Sequence, residues 1–343
     1  MSLLTLLLLP FSRVYDLVTR IRNYMYDTGW KPSVSFDLPV ISVGNLAAGG
    51  TGKTPMTEYL VRLLSQSFSV STLSRGYGRT TTGFRIVHDA DTAKTVGDEP
   101  LQLYRKFYPD ITVAVGEERA LAIPYLLDEK PETAVVLLDD AFQHRQVKPG
   151  CSILLTEYNR PFYNDHLLPA GRLREHPRGA ARADVVVVTK CPDALSGQEM
   201  SSIRSDITRY ADKPVYFAGI RYADPVAAVA ADQPVLKKVV LVSGIANHQV
   251  LEDYVATHFT LVRHFVYRDH HHYTFGDIEK IKAFVQGLPE PAMVLTTEKD
   301  YVKLREFNAL TEGLSVFYLP IQLYFLHHGK EFDAQVLQFV KRD

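Results

Sequence analysis

A glycine-rich segment near the start of the chain restricts the possible folds more than any other feature. Residues 39–55 read Pro-Val-Ile-Ser-Val-Gly-Asn-Leu-Ala-Ala-Gly-Gly-Thr-Gly-Lys-Thr-Pro. A β-branched run leads into glycines, and Lys53 and Thr54 then open a stretch typical of a helix. Glycine lets backbone N–H groups turn toward an anion, and a helix N-terminus adds partial positive charge. The segment therefore predicts a strand, a phosphate-binding loop and a helix, in that order.

This loop departs from the usual pattern at one position. The common form is Gly-x-x-x-x-Gly-Lys-Ser/Thr, and its first glycine would fall where the chain has Ala47. We expect Gly49 and Gly50 to supply the flexibility instead. In such loops the lysine reaches the β- and γ-phosphates and the hydroxyl binds Mg²⁺, which are the roles expected of Lys53 and Thr54. A tight turn without a ligand is the alternative interpretation.

A second motif places carboxylates at the end of an apolar run. Residues 135–140 read Val-Val-Leu-Leu-Asp-Asp, and Ala-Phe-Gln-His-Arg follows. Because strand side chains alternate, one of Asp139 and Asp140 can face Mg²⁺ or its water molecules while the other points elsewhere. The alternative is a solvated aspartate pair that only ends a strand. Together, the two motifs predict use of a nucleoside triphosphate.

Short β-branched runs alternate with helical stretches along most of the chain, which is typical of βαβ units around a parallel sheet. We expect an α/β fold: a P-loop NTPase-like parallel-sheet domain, a second, smaller α/β lobe, and an N-terminal interfacial helix. The predicted bounds are 1–30 for the helix, 31–213 for the P-loop domain, and 214–343 for the smaller lobe with its interlobe linker strands. Predicted strands are 40–43, 69–73, 111–115, 135–139, 152–155, 185–189, 239–242, 261–266 and 293–296. Predicted helices of the later part are 196–213, 248–258 and 277–286.

Composition narrows the classes of partner. Of the 343 residues, 46% are apolar and 22% are charged, as in a folded globular protein, and the formal net charge is -1. This balance gives no overall reason to expect nucleic acid, since proteins that bind it usually carry a strongly basic face. Cys151 and Cys191 are far apart and in neither CxxC nor zinc spacing, which favours reduced thiols in a cytoplasmic protein.

The N-terminus combines an apolar run with a basic, aromatic stretch. Residues 3–11 are apolar but too short for a membrane-spanning helix, which takes about 20 such residues. No Lys or Arg precedes the run, which makes it a poor secretory signal. Arg13, Arg20, Arg22 and Trp30 follow, a combination typical of a helix that lies in a membrane interface. A terminal helix packed on the protein's own core is the alternative.

A regulatory GTPase would need an Asn/Thr-Lys-x-Asp segment that reads the base after a late strand. Residues 188–193 read Val-Thr-Lys-Cys-Pro-Asp, so the aspartate comes one place late and proline occupies its position. This departure weakens the GTPase interpretation without removing it.

Further motifs follow one another in a specific order. They are Ser-Arg-Gly-Tyr-Gly at 74–78, Gly-Asp-Glu-Pro at 97–100, Leu-Pro-Ala-Gly-Arg-Leu-Arg-Glu at 168–175, Ser-Gly-Ile-Ala-Asn at 243–247, Asp-His at 269–270 and Thr-Glu-Lys-Asp at 297–300. With the two motifs above, this order closely resembles the tetraacyldisaccharide 4′-kinase family, the lipid A 4′-kinases of Gram-negative bacteria. The resemblance extends from the N-terminal helix to about residue 303. Ala141 stands where the family usually has glycine, and Arg172 where it often has proline; neither departure removes a reactive group.

The resemblance implies a kinase reaction. ATP, with Mg²⁺, would give its γ-phosphoryl group to the 4′-hydroxyl of a tetraacylated glucosamine disaccharide-1-phosphate. This glycolipid would be reached from the cytoplasmic face of the inner membrane, which favours an interfacial N-terminal helix. We expect a peripheral or monotopic monomer without a nucleic-acid partner. A soluble sugar or nucleoside kinase and a regulatory P-loop NTPase are the alternatives.

The resemblance also implies a catalytic pair. Asp98 would take the proton of the acceptor hydroxyl, and His270, from the other lobe, would orient it or tune its charge. Without the family, Asp98 in Gly-Asp-Glu-Pro indicates a helix N-cap followed by proline in the first turn. His270, His271 and His272 could suggest a metal site, but adjacent side chains of an extended segment point to opposite sides.

The motifs and the resemblance together give a complete set of expected site residues. The catalytic residues are Asp98, His270, Lys53, Asp139 and Asp140. The nucleotide-binding residues are Gly49, Gly50, Thr51, Gly52, Lys53, Thr54, Pro55 and Gln143. The acceptor-binding residues are Asn45, Arg75, Tyr77, Arg119, His144 and Arg174. The metal ligands are Thr54, Asp139 and Glu175. The sequence does not assign a role to Glu298, Lys299 and Asp300.

Overall fold

The structure, a computed structural model, describes residues 3–228, 233–307 and 313–341. Strands β1 to β8 are Val40–Asn45, Val70–Ser74, Arg85–Ile86, Ile111–Val115, Val135–Asp139, Cys151–Glu157, Val185–Thr189 and Val215–Tyr222. Strands β9 to β14 are Val226–Ala227, Lys238–Ser243, Thr260–Val266, Met293–Thr297, Val316–Leu319 and Ile321–Phe325. Helices α1 to α10 are Leu3–Asp27, Lys53–Leu64, Ala93–Val96, Asp98–Phe107, Arg119–Glu129, Gly197–Thr208, His248–His258, Phe275–Gln286, Glu298–Leu304 and Gly329–Val340. Short 3₁₀ helices cover Phe162–Asn164 and Pro177–Arg182.

Two β-sheets organise these elements. The larger sheet has the strand order β14-β8-β7-β6-β1-β5-β2-β4-β3, and only its two edge strands, β14 and β3, pair antiparallel. The smaller sheet has the order β11-β10-β12-β13-β9, with β9 antiparallel at its edge. The predicted α/β fold with a large, mostly parallel sheet is therefore confirmed.

Alternating side chains explain why β5 lies at the centre of the larger sheet. Val135 and Leu137 join a core cluster with α2 on one face, while Val136 and Leu138 join a cluster with α5 on the other. Every residue of this strand is buried. Since full burial of a Val or Leu side chain stabilises the fold by about 1.5–3 kcal/mol, helices on both faces hold the strand in place.

Capping side chains set the helix ends that differ from the predicted ones. Helix α8 was predicted to begin at residue 277 but begins at Phe275, because Thr274 accepts a hydrogen bond from the Asp277 amide and Asp277 bonds back in a capping box. Helix α6 follows a similar box at Ser196 and ends at Thr208, five residues before its predicted end at 213. Strands β4, β5 and β7 have their predicted bounds.

The predicted domain boundary at residue 214 separates strands that share one sheet. Strand β8 pairs with β7, and β14 pairs with β8, so both belong to the larger sheet. The chain leaves this sheet after Tyr222 and returns at Ile321, two residues that are paired with each other. Helix α10 then adds Phe332 and Val336 to the core of the larger domain. The linkers between the lobes are thus strands of the larger domain rather than parts of the smaller lobe.

Helix α1 contacts the larger domain through polar side chains and leaves its apolar side exposed. Ser12 donates a hydrogen bond to the Leu167 carbonyl, and Tyr15 donates one to the Arg174 carbonyl, both at 2.9 Å. The part of the chain that the structure describes holds no helix with the length and apolar content needed to cross a membrane. We call the exposed side the apolar face of α1; it consists of Leu6, Leu7, Phe11, Val14, Leu17, Val18, Ile21 and Tyr24.

Candidate active site

The glycine-rich segment forms the predicted loop between β1 and α2. Gly49 and Gly52 adopt left-handed backbone angles, with φ of 109° and 85°, where a side chain would be strained. Helix α2 begins at Lys53, and the Lys53 Nζ lies 3.5 Å from the Gly49 carbonyl oxygen, folded back over the loop. The loop thus presents an ammonium group and the first amides of a helix to the same space, the arrangement that binds phosphate.

The alanine in place of the first glycine is explained by the course of the loop. Ala47 forms an antiparallel bridge with Leu173, and such extended backbone suits alanine. The left-handed turns fall at Gly49 and Gly52. Gly50 does not adopt one, so the expected flexibility comes from the first and last glycines of the run.

The Asn45 side chain makes hydrogen bonds within the protein that support the phosphate loop. Its side chain is completely buried and donates a hydrogen bond from Nδ2 to the Thr51 hydroxyl at 2.6 Å. Its Oδ1 accepts a hydrogen bond from Arg174. Thr189, at the end of β7, donates to the Thr51 carbonyl at 2.8 Å. This side chain therefore helps to fix the loop conformation, and its contact with the acceptor stays a prediction.

The two aspartates that end β5 have different surroundings. Asp139 lies beside Val43 in the sheet register, is almost fully buried, and accepts a hydrogen bond from the Thr57 hydroxyl at 3.3 Å. Burial, followed by the charges of Glu99 and Asp140, raises the pKa of Asp139 above the usual carboxyl range. This carboxylate would gain from a nearby cation.

Asp140 turns toward the cations of the loop. Its φ of 48° lies in the left-handed region, which is sparsely populated by residues other than glycine. Arg174 holds both of its oxygens, at 2.8 and 3.2 Å, and the Lys53 Nζ lies 3.8 Å away. Burial alone would raise the pKa of Asp140, but Lys53 and Arg174 outweigh it and lower the pKa. The strained turn therefore separates the two carboxylates and gives each its own environment.

The residues around Asp139 fit a magnesium ion. Mg²⁺ usually takes one or two protein carboxylates and completes its shell with water and substrate phosphates. Within the described ranges, Asp139 has no Lys, Arg or His partner at ion-pair distance, and Thr54 lies in the first turn of α2 beside the loop. A divalent cation would stabilise the ionised form of a buried carboxylate with a raised pKa, so Asp139 suits the role of a metal ligand.

Glu175, the third expected metal ligand, is occupied by protein donors. Its carboxylate accepts hydrogen bonds from Asn23, Gln143 and Arg182, all at 2.8–2.9 Å. The side chain thereby ties α1 and the Pro177–Arg182 turn to the segment after β5. Four hydrogen bonds from three residues hold this carboxylate in place, and Glu175 stays a predicted metal ligand. Gln143 uses its amide for this link and for the Asn45 carbonyl, at 2.9 Å.

The residues expected to bind the anionic acceptor include both exposed and buried side chains. Arg75 and Tyr77 are exposed on the loop after β2. Arg119 is 1% exposed and donates to the carbonyls of Gly116 and Glu117, so it acts on the site through its charge and not by contact. Burial lowers the pKa of Arg119 to about 10.

His144 lies within this cationic group. Burial, reinforced by Arg119 and Arg75, lowers the pKa of His144 to about 4. The imidazole is therefore neutral at physiological pH, and its environment favours a negatively charged ligand. Arg174, which forms an ion pair with Asp140, is the remaining cation of this group beside the loop.

Asp98 and His270 meet at the junction of the two lobes. Asp98 is the first residue of α4, and Gly97 rather than Asp98 takes the N-cap position. The Asp98 Oδ2 lies 3.1 Å from the His270 Nδ1 and 3.3 Å from the Lys303 Nζ. Burial would raise the pKa of Asp98, but the hydrogen bond from His270 and the charge of Lys303 lower it. The structure therefore favours the pairing implied by the family resemblance over the helix-cap interpretation.

Helix α9 supplies site residues that the sequence left without a role. Lys299 Nζ lies 3.2 Å from His270 Nε2 and 3.0 Å from an Asp269 oxygen. Asp300 is fully buried and accepts from the Gly244 amide at 2.9 Å, which anchors the helix to the end of β10. Lys303 was missed altogether. The signal that could have revealed it is the spacing of four between Lys299 and Lys303, which puts both on one side of a helix.

His270 and His271, two of the three consecutive histidines, point in different directions. His271 contacts Asp277 at 3.1 Å and stacks on Tyr267, away from Asp98. Tyr77 lies next to His270, with ring centroids 5.5 Å apart. Among the residues that the structure describes, no three His, Cys, Asp or Glu side chains cluster as metal ligands.

A buried ionic group joins the phosphate-loop helix to the smaller lobe. Lys106 of α4 contacts Glu58 of α2 at 2.8 Å and Glu298 of α9 at 2.6 Å. Gln102 donates to the same two carboxylates. Burial, followed by the charge of Glu58, raises the pKa of Glu298. The helix that carries Asp98 is thus clamped between the helix that carries Lys53 and the helix that carries Lys303.

A phosphate loop on one domain and a carboxylate held by a second lobe suit the transfer of a phosphoryl group between two bound molecules, which defines a P-loop kinase. Within this class the chain belongs to the tetraacyldisaccharide-1-P 4′-kinase family, whose family model matches residues 4–341. The resemblance drawn from the motifs is confirmed.

Curated relatives match over nearly their whole length. The tetraacyldisaccharide 4′-kinase of Flavobacterium johnsoniae is 41% identical, covering 100% of this chain and 99% of the relative. That of Cytophaga hutchinsonii is 44% identical, covering 94% and 92%. A crystal structure of LpxK from Aquifex aeolicus in complex with ATP matches with a TM-score of 0.78 and 28% identity, covering 98% of this chain and 100% of that one. The kinase interpretation is thereby supported over the regulatory NTPase. In the GTPase-like segment, the displaced aspartate is Asp193, and it accepts a hydrogen bond from Tyr324.

Proposed function

We propose that this chain transfers the γ-phosphoryl group of ATP to the 4′-hydroxyl of a tetraacylated glucosamine disaccharide-1-phosphate. The relatives carry this activity in their names, and the LpxK structure from Aquifex aeolicus holds ATP. The observation that carries the proposal is the position of Asp98. Its carboxylate lies at the N-terminus of α4, next to Glu99, whose charge acts on Asp139 at the phosphate loop. We infer from this that the proton acceptor and the phosphate site face a common space.

The reaction asks mainly for positioning and charge neutralisation. The acceptor hydroxyl gives its proton to Asp98 as its oxygen bonds to the γ-phosphorus. The bond from this phosphorus to the β,γ-bridging oxygen breaks, and ADP leaves with that electron pair. Lys53 stabilises the charge that develops on the phosphoryl oxygens. The lowered pKa of Asp98 keeps this carboxylate ionised, which is the form that can accept a proton.

Thr54 and Asp139 would hold Mg²⁺, which supplies neutralisation of the phosphate oxygens. The residues of this chain do the remaining work. Lys53 and the amides after Gly52 bind the phosphates, and Asp140 keeps the Arg174 guanidinium beside the loop. The exposed Arg75 and Tyr77 line the cleft at which the anionic acceptor enters.

We assign the apolar face of α1 to the membrane surface. A row of exposed apolar side chains along one side of a helix, with polar contacts on the other, is the pattern of an interfacial helix. Trp30, just after α1, is 80% exposed and adds an aromatic ring of the kind that settles at a membrane boundary. The protein would then act at the cytoplasmic face of the inner membrane, bound to its surface.

A transfer assay tests the proposal directly. Purified protein is incubated with γ-labelled ATP, Mg²⁺ and tetraacyl disaccharide-1-phosphate in detergent micelles, and the lipids are then separated. We expect label in the lipid with the native chain and none with Lys53→Ala. Release of free phosphate without labelled lipid would instead indicate an NTPase. Label in a short-chain, water-soluble acceptor but not in the micellar lipid would indicate a soluble kinase.

A further inference from the structure

The contacts of His270 determine which of its ring nitrogens carries a proton. A lysine ammonium has three donors and no acceptor. Lys299 Nζ lies 3.2 Å from His270 Nε2 and 3.0 Å from the Asp269 carboxylate, so the ammonium can donate to both. His270 Nε2 must therefore accept. The proton of the neutral imidazole then resides on Nδ1, the atom that lies 3.1 Å from Asp98 Oδ2.

The contacts of Asp98 are just as directional. Both of its donors, His270 Nδ1 and Lys303 Nζ, lie next to the same oxygen, Oδ2. Within the described ranges, no hydrogen bond to Oδ1 is made. Lys303 is 4% exposed and is held in turn by the buried Asp300, at 3.6 Å. One oxygen of the carboxylate is thus fixed by two donors, and the other is left for a ligand.

We propose that Lys299 and Lys303 are positioning residues that set the proton arrangement of the Asp98–His270 pair. Lys299 holds the imidazole as the neutral Nδ1–H tautomer, and Lys303 holds Oδ2, so that Oδ1 receives the proton of the acceptor hydroxyl. This inference rests on the proposed kinase function. Because both lysines belong to α9 of the smaller lobe and Asp98 to the larger domain, the arrangement exists only while the lobes are together.

The groups that face His270 support this assignment. They are Asp98 from α4, Lys299 from α9, Asp269 from its own loop, with its Oδ1 4.0 Å from Nε2, and the Tyr77 ring. Of these, only Lys299 can donate to Nε2 at hydrogen-bond distance. A hydrogen on Nε2 would point at the Lys299 ammonium 3.2 Å away, so this geometry fits an Nε2 that accepts.

The tautomer can be observed without any assay of activity. In protein labelled with ¹⁵N-histidine, the shifts of the two ring nitrogens distinguish the Nδ1–H, Nε2–H and imidazolium forms, and His270→Gln identifies the signals. We expect the Nδ1–H form in the native chain at neutral pH, and a shift to Nε2–H or imidazolium in Lys299→Met. A native Nε2–H or imidazolium form, or an unchanged tautomer in Lys299→Met, would overturn the proposal.

Kinetics supply the second measurement. Lys299→Met should lower kcat/KM and change the shape of its pH profile, because the imidazole is no longer fixed as the Nδ1–H tautomer. Lys299→Arg, whose side chain also only donates, should retain the native profile. Lys280→Met, which removes the same charge from an exposed position on α8, is the matched control. An equal loss at every pH would mean that Lys299 is merely structural.

Lys303 requires its own variant because it is buried. Lys303→Met should lower kcat at least tenfold while ATP binding, measured by calorimetry, stays within twofold of native; a melting curve shows whether the variant is folded. Weakened ATP binding in a folded variant would count against the assignment. If the native chain labels no lipid at all, the proposed function fails, while the ¹⁵N experiment still tests the arrangement of protons.

Discussion

The two ends of the active site are built in different ways. At the phosphate end, β1, the loop and α2 follow one another directly in the chain, and Asp139 joins them from the adjacent strand. At the acceptor end, Asp98 of the larger domain meets His270 and Lys303 of the smaller lobe. The first end is complete within one sheet, whereas the second exists only when two lobes meet. We therefore expect nucleotide binding to persist when acceptor chemistry is lost.

The largest effect should come from the acceptor end. Asp98→Asn keeps the shape of the side chain but cannot take up the hydroxyl proton, so kcat should fall about 10²–10⁴-fold. ATP affinity, measured by calorimetry, should be unchanged, because the phosphate loop does not depend on this carboxylate. Near-native turnover with a lower melting temperature would show that Asp98 only supports the fold, and the contrast between the two ends would disappear.

A variant at the phosphate end should affect both turnover and nucleotide binding. Lys53→Ala removes the ammonium that lies over the loop, and we expect kcat to fall about 10²–10³-fold, the usual effect of losing one group that stabilises transition-state charge. ATP binding should weaken in the same variant. Lys94→Ala, at an exposed position on α3 of the same domain, is the control and should behave as native. Full ATP affinity in Lys53→Ala would place Lys53 outside the site.

The clamp between the two ends can be tested through stability. Lys106→Met leaves the buried Glu298 without its cation, while Glu58 keeps Arg62 at 2.9 Å. Loss of one partner of a buried ion pair costs about 3–5 kcal/mol. Urea denaturation should show this loss in the free energy of unfolding. Adding Glu298→Gln should recover part of it, since one uncompensated charge is removed. Two losses that simply add would mean that the three helices are not coupled through this group.

The smallest effect concerns the pH dependence of stability at the phosphate end. The pKa of His144 in the folded chain is about 4, below its ordinary value of 6.5. Between these two pH values the unfolded chain binds a proton at this residue and the folded chain does not. This contribution to the free energy of unfolding is present above pH 6.5 and is lost as the pH falls toward 4. His144→Gln should flatten the slope of stability against pH in this window. Parallel slopes for the two proteins would rule out His144 as the titrating group.

The phosphate end could be predicted from the sequence because its signals are local. The order of strand, glycines and Lys53 is contiguous, and the apolar run before Asp139 marks a strand buried on both faces. What could not be predicted is which polar side chains turn inward. Asn45 and Glu175 lie within motifs and were expected at ligands, but their hydrogen bonds go to Thr51 and to Arg182.

The acceptor end depended on the family resemblance. Nothing near Asp98 in the sequence indicates that its partner lies 172 positions further along the chain. Lys303 gave no signal because a lysine is usually solvated, and only the fold shows that it is buried against Asp98. The sequence likewise does not show that β14 returns to the larger sheet, because this is a pairing between distant segments.

The pairing of Tyr222 with Ile321 has an architectural consequence. The larger sheet is continuous from β8 to β14 whether or not the residues between them are present, so the smaller lobe is topologically an insertion into the tip of a β-hairpin. Its two ends leave and return at neighbouring points. The strand order that carries the phosphate loop is thus set without the smaller lobe, whereas the acceptor end needs both the insertion and the domain that holds it.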